Sequence, residues 1–126
     1  MKSEIFTLCD NANEYDGKLV IVGAFNRLKS KDYPKTYSNI TAVSRVVVEN
    51  KEKGKHEVSI SVRKEGEDID LVGPFVGYID NSSMDSEKGN INVILNISNI
   101  EIPSKGTYLV LLKIGDFEQT AEFIAE

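Results

Sequence analysis

The chain has few of the residue types on which catalytic and cross-linking chemistry depends. Its 126 residues include one cysteine, one histidine and no tryptophan. Cys9 alone excludes an intrachain disulfide, and one cysteine with one histidine cannot build a zinc site without several carboxylates. His56 must serve every histidine-dependent mechanism, and no Gly-X-Ser-X-Gly nucleophile motif occurs. We therefore expect no catalytic residue, metal site or cofactor, and predict that the protein is not an enzyme.

Long apolar runs and an excess of basic charge are also missing. No stretch approaches the roughly 18 to 20 apolar residues of a membrane helix, and the first ten residues lack the apolar core of a signal peptide. The net charge of −5 disfavours attraction to nucleic acid. The basic and aromatic stretch from Arg27 to Tyr37 is interrupted by Asp32 and is typical of a solvated loop. These features predict a cytoplasmic protein that binds neither membranes nor nucleic acid.

Apolar and polar residues alternate with a period of two over most of the chain, which indicates β-strands. Val58, Ile60 and Val62 alternate with polar neighbours, and Gly115-Asp116 separates two such runs as a two-residue hairpin turn would. Tyr108 follows a loop in the position of a tyrosine corner. The pattern predicts one domain over residues 1–126. It is an all-β, immunoglobulin-like antiparallel β-sandwich of about eight strands, with a closed or C2-like barrel as the alternative.

A proline interrupts one of these runs. Pro74 lies inside the apolar stretch from Ile69 to Ile79. A central strand cannot spare the backbone N–H that proline lacks. We therefore predict that this segment is an edge strand, a bulged strand or two short strands.

Two strands carry more apolar residues than a two-layer sandwich needs on one face. Tyr108, Val110, Leu112 and Ile114 occupy one face of their strand, while Leu109 and Leu111 occupy the other. Val20 and Val22 likewise oppose Leu19, Ile21 and Phe25. Because the outer faces of a sandwich are normally solvated, such residues indicate either cover by a loop or a surface for a partner. The possible interface is formed by Val20, Val22, Leu109 and Leu111, and its partner is another protein or a second copy in a homodimer.

A second set of residues suggests a different function. Three tyrosines and two acids fall in predicted loops: Tyr33, Tyr37, Tyr78, Asp80 and Asp85. Together they define a possible ligand loop for a glycan or a calcium-dependent target, although the acids do not match the EF-hand spacing. A non-catalytic interaction or structural module is the first hypothesis, a ligand-binding sandwich is the alternative, and a hydrolase is the least favoured.

Several short motifs resemble those of an uncharacterised family of small bacterial β-sandwich proteins. They are Leu8-Cys9-Asp10, Asp16-Gly17-Lys18-Leu19, Gly23-Ala24-Phe25 and Tyr33-Pro34. The resemblance covers most of the chain and implies a cytoplasmic bacterial β-sandwich. It implies no activity and no functional residues, because the family has none assigned.

Overall fold

Two β-sheets packed face to face form the whole molecule, as a computed structural model of residues 1–126 shows. One sheet has four strands in the order β2-β1-β4-β7, and the other has five in the order β3-β9-β8-β5-β6. The strands are β1 (Lys2–Tyr15), β2 (Lys18–Phe25), β3 (Arg27–Leu28), β4 (Lys35–Glu49), β5 (Lys55–Lys64), β6 (Asp70–Asp80), β7 (Lys88–Ile102), β8 (Gly106–Ile114) and β9 (Phe117–Ala125).

The predicted β-sandwich is confirmed and the barrel alternative is wrong, because each sheet ends in two edge strands that do not join. All strand pairs are antiparallel except the two-residue pairing of β3 with β9. The helical content is a single 3₁₀ turn at Asn50–Glu52. The structure therefore contains no helix of the length and apolarity needed to cross a membrane.

The period-two pattern explains how the core forms. Val58, Ile60 and Val62 of β5 point inward and are buried together with the inward residues of β8, which pair beside them. Nineteen buried residues form this main core between the sheets. Gly115 has φ +58° and joins Ile114 to Phe117 in a two-residue turn, as the sequence predicted.

Tyr108 is a tyrosine corner. Its ring is fully buried and stacks on Phe123 with centroids 5.3 Å apart. Its hydroxyl donates a hydrogen bond of 2.7 Å to the carbonyl of Ser104, four residues upstream. The contact fastens the loop before β8 to the core and confirms the position predicted for this residue.

Hairpin β1–β2 covers the outer face of the four-stranded sheet. Asp16 and Gly17 both have positive φ and turn the chain at its tip. Asn92 of β7 donates hydrogen bonds to the Glu14 carboxylate and the Gly17 carbonyl, so the tip reaches across the sheet. A second small core lies beneath it: Cys9, Ala12 and Val43 are buried, and Leu19, Ile21 and Ile94 pack against them.

The opposite side of the sandwich is open. Strand β6 ends the five-stranded sheet and β7 ends the four-stranded sheet, and each is paired on one side only. The register of β6 against β5 shifts between Ile60 and Val62, opposite Gly73 and Pro74. The Pro74 segment is therefore an edge strand with a bulge, which is one of the arrangements predicted for it.

Candidate functional site

The residues predicted to form a ligand loop lie at opposite ends of the sandwich. Tyr33 and Tyr37 are close to each other at the end where β4 begins and β9 finishes, and the single O–H of Tyr33 is shared between the backbone oxygens of Leu28 and Glu126. Tyr78 and Asp80 lie at the other end, where β6 leads into the loop that contains Asp85. The fold therefore does not gather the five residues into one site.

The acidic loop after β6 shows an ordinary turn. The Asp80 carboxylate accepts hydrogen bonds from the backbone N–H and the hydroxyl of Ser82, and these bonds lower the pKa of Asp80. No three acidic, histidine or cysteine side chains in the chain come together in a group that could hold a metal ion. The local hydrogen bonds account for this carboxylate without any ion.

The predicted interface residues also separate. Val20 and Val22 lie on edge strand β2 of the four-stranded sheet, where about half of each side chain is exposed. Leu109 and Leu111 lie on the outer face of β8 in the five-stranded sheet and are only half-buried, beside Arg63 and Ser61 of β5. The two pairs belong to different sheets and cannot form one continuous surface.

The two most reactive side chains of the protein, the thiol of Cys9 and the imidazole of His56, are far from each other. Cys9 is completely buried under hairpin β1–β2, and burial raises the pKa of its thiol, with Asp10 adding to the effect. His56 is half-buried on β5 of the other sheet, and its Nε2 contacts the carbonyl of Glu52. The two side chains therefore lie in different sheets, and neither can act on the other.

The concave surface with the most hydrophobic lining is a groove along the open side, between β6 and β7. It encloses about 330 Å³, and nine of its eleven lining residues are hydrophobic. Val58, Ile60 and Val93 of the buried core line it, and Phe75 stands at its margin with 56% of its surface exposed. We call this surface the β6–β7 groove; its residues are Val58, Ile60, Phe75–Ile79 and Asn92–Leu95.

Strand β7 presents an unprotected backbone edge to this groove. It pairs with β4 along 14 registered positions and has no partner on its other side. Half of the backbone N–H and C=O groups of an edge strand point away from its neighbour. From Gly89 to Ile100 the strand contains no charged residue and no proline, which are the usual features that block pairing with another chain.

The outer face of β7 is occupied by contacts within the molecule. Asn90 donates to Glu4, Asn92 donates to Glu14, and Asn96 accepts from Thr41. The inward face contributes Ile91, Val93 and Ile97 to the main core. The free backbone edge is thus the part of this strand that remains available.

A strongly acidic segment surrounds strand β6. Between Glu65 and Glu87 there are seven acidic residues and no lysine or arginine. The remainder of the chain has thirteen acids and fifteen bases, so the negative surplus of the protein lies in this one segment. The charge run was visible in the sequence, but its importance depends on the position of β6 at the open side of the sandwich.

One of these acids forms an ion pair, and the other six are exposed. Asp70 forms an ion pair of 2.9 Å with Arg63, and Lys55 Nζ lies 4.7 Å from the centre of the Tyr78 ring. Glu65, Glu67, Asp68, Asp80, Asp85 and Glu87 are exposed, three in the loop before β6 and three at or beyond its end. Acidic loops therefore border both ends of β6, with Lys64 directly before the first loop and Lys55 and Lys88 beside the second.

A family model matches residues 4–124, nearly the entire chain, and describes a family of unknown function (DUF6941). The chain belongs to this family. The match confirms the predicted relation to an uncharacterised family and assigns no activity. A comparison with curated proteins found no similar sequence.

A solved structure shares the fold of this DUF6941 domain. It is the crystal structure of beta-glucosidase from Listeria innocua in complex with gluconolactone. The TM-score is 0.50 at 8% sequence identity, and the match covers 98% of this chain but only 16% of the other. At this identity the similarity shows the fold alone, since unrelated functions occur on β-sandwiches.

Proposed function

We propose that this domain is a non-catalytic protein-interaction module and that a partner protein binds along the β6–β7 groove. The observation that supports the proposal most directly is the groove itself, where core residues such as Ile60 and Val93 reach the surface between two unpaired strand edges. Exposed apolar concavities of this kind are characteristic of binding surfaces. A non-catalytic role agrees with the separation of Cys9 from His56 and with their structural contacts.

The test is affinity capture from the native host with a groove variant. Phe75→Gln should fold normally, because Phe75 is already 56% exposed. We expect it to lose the partner that the wild-type domain retains. Val22→Gln is the matched control, since Val22 is similarly exposed at 53% but lies on the opposite edge of the sandwich.

Hydrogen exchange on the captured complex gives a direct readout of the surface. Amides of Asn92 to Leu95 should exchange more slowly in the complex than in the free domain if the partner covers this edge. Capture that survives in Phe75→Gln, or that is lost equally in Val22→Gln, would contradict the proposal. A second copy of the chain remains the alternative partner, and Leu109→Lys with Leu111→Lys tests it at the outer face of β8 by light scattering.

A further inference from the structure

We infer that the occupant of the β6–β7 groove is an extended segment of another protein that pairs with the edge of β7, carries alternating apolar side chains and is flanked by lysine or arginine. The inference rests on the proposed function and adds to it the chemistry of the partner. Three properties of the groove support it: its backbone edge, its apolar floor and the charge at its ends.

The backbone edge selects an extended chain. An added strand can satisfy the outward N–H and C=O groups of β7 by continuing the four-stranded sheet. The segment from Gly89 to Ser98 offers this edge without a charge or a proline, and the extended backbone is interrupted at Asn99, which has φ +53°. A helix or a compact surface would leave those groups unpaired, so an extended segment fits the edge best.

The groove floor selects alternating apolar side chains. In a strand paired with β7, every second side chain points toward the five-stranded sheet. There it meets Val58, Ile60 and Phe75, which lie on neighbouring strands β5 and β6. The remaining side chains continue the outer face, where Asn92 and Asn96 are polar. An apolar-polar alternation in the partner satisfies both faces.

The charge at both ends of β6 selects basic flanks. Glu65, Glu67 and Asp68 are exposed before β6, and Asp80, Asp85 and Glu87 are exposed at its end and in the loop that follows. Lysine or arginine beyond each end of the apolar core would approach these carboxylates, and acidic flanks would be repelled. Electrostatic complementarity of this type also sets which strands are excluded from an open edge.

The same charge disfavours a second copy in this groove. A symmetric dimer places the same surface of each chain against the other. Pairing β6 with β6 or β7 with β7 would bring together two segments of seven acids each, with no lysine or arginine inside either segment. The occupant is therefore assigned to a different protein.

Synthetic peptides test the chemistry without knowledge of the natural partner. The probe is an end-capped, fluorescently labelled nonapeptide of sequence Lys-Lys-Val-Thr-Val-Thr-Val-Lys-Lys. One control replaces the four lysines with glutamates, and another keeps all side chains but methylates alternate backbone nitrogens. Binding to the full chain is measured by fluorescence anisotropy at 50 mM and 500 mM NaCl.

We expect the lysine-flanked peptide to bind at least about tenfold more tightly than the glutamate-flanked one, with a smaller difference at 500 mM NaCl because salt screens exposed charges. Backbone methylation should abolish binding, since it removes the donors that pair with β7.

Phe75→Gln should weaken binding and Val22→Gln should not. Neutralising Glu67 and Asp85 should reduce the preference for lysine flanks, whereas neutralising Asp116 and Glu122, which changes the net charge equally, should leave it unchanged.

The outcomes separate this inference from the proposed function. Equal affinity for both flanks, or undiminished binding of the methylated peptide, would overturn the inferred chemistry. Failure of all peptides, together with host capture that still depends on Phe75, would overturn the extended segment but leave the interaction module intact. Loss of both peptide binding and Phe75-dependent capture would overturn both. A wild-type dimer that dissociates in Phe75→Gln would assign the groove to a second copy and overturn the inference.

Discussion

At the scale of single residues, the least satisfied polar atom of the tyrosine pair is the hydroxyl of Tyr37. It is buried and makes no hydrogen bond of normal geometry, although Tyr33 is close to it. Tyr33, by contrast, has a hydroxyl whose one proton is shared between the backbone oxygens of Leu28 and Glu126. The two phenols therefore offer matched tests of what a buried hydroxyl contributes.

Tyr37→Phe should leave the free energy of unfolding unchanged or raise it, while Tyr33→Phe should lower it by about 1 kcal/mol, because only Tyr33 loses a hydrogen bond.

Burial, with a further contribution from the neighbouring Tyr33, raises the pKa of Tyr37. The unfolded chain then releases this proton first, at about pH 10, and the native state loses stability as the pH rises through that range. Urea unfolding at pH 7 and pH 10.5 should show the advantage of Tyr37→Phe growing with pH. A clear loss of stability at pH 7 would mean that Tyr37 has a partner.

At the scale of elements, hairpin β1–β2 depends on one glycine. Gly23 has φ +69°, and a Cβ at this position would overlap the carboxylate of Asp10. The backbone conformation re-aims strand β2, so that Leu19 and Ile21 pack over the small core containing Cys9 while Phe25 packs against the main core. Through the bend at Gly23, one hairpin thus contributes side chains to both the main core and the small core.

Gly23→Ala should destabilise the domain by about 1–3 kcal/mol, since alanine is strained at positive φ and its methyl group meets Asp10. Gly77→Ala is the matched control, because Gly77 has ordinary φ and open space around its Cα. Chemical denaturation of both variants gives the comparison. The labelling rate of Cys9 by a thiol reagent should also rise in Gly23→Ala, because the hairpin that buries it is loosened. Equal stability of the two variants would show that the hairpin does not need this conformation.

Hairpin β1–β2 also marks the limit of what local sequence patterns predict about the elements. The strands, their turns and the interruption at Pro74 follow from local alternation and from residues with special backbone preferences. That the β1–β2 hairpin covers its own sheet does not, because it depends on contacts between Asn92 and the hairpin tip, about 75 residues apart in sequence. The apolar residues of β2 divide accordingly: Leu19 and Ile21 pack against the second core, whereas the predicted interface residues Val20 and Val22 are about half exposed.

At the scale of the whole molecule, a buried amide bridges the two sheets. Gln119 of β9 accepts hydrogen bonds from Ser3 of β1 and Ser44 of β4, at 2.7 Å and 3.0 Å, through its carbonyl oxygen. Its side-chain NH₂ is buried without a partner. These hydrogen bonds cross the core between the two sheets. A negative charge at position 119 would have no cation among these contacts to neutralise it.

Gln119→Glu should destabilise the protein by about 3 kcal/mol or more at pH 7, since it places an unpaired carboxylate between the sheets. Burial raises the pKa of such an acid, so the variant keeps its stability below the ordinary pKa of about 4.3 and loses it as the pH rises. Urea unfolding at pH 4 and pH 7 should show the deficit mainly at pH 7. Thr120→Glu, an exposed neighbour on the same strand, is the control. A similar loss in both variants, or none in Gln119→Glu, would contradict the bridge.

The amino-acid sequence alone determined the fold class, the two-residue hairpin turn, the tyrosine corner and the exclusion of the Pro74 segment from a regular central strand. Each of these rests on side-chain alternation or on a residue whose own backbone restricts the chain. Only the tertiary structure decided that Val22 and Leu111 lie on different sheets, that Tyr33 and Asp80 lie at opposite ends, and that β6 and β7 leave a groove between them. These are relations between distant segments, and they depend on strand order, which local patterns do not encode.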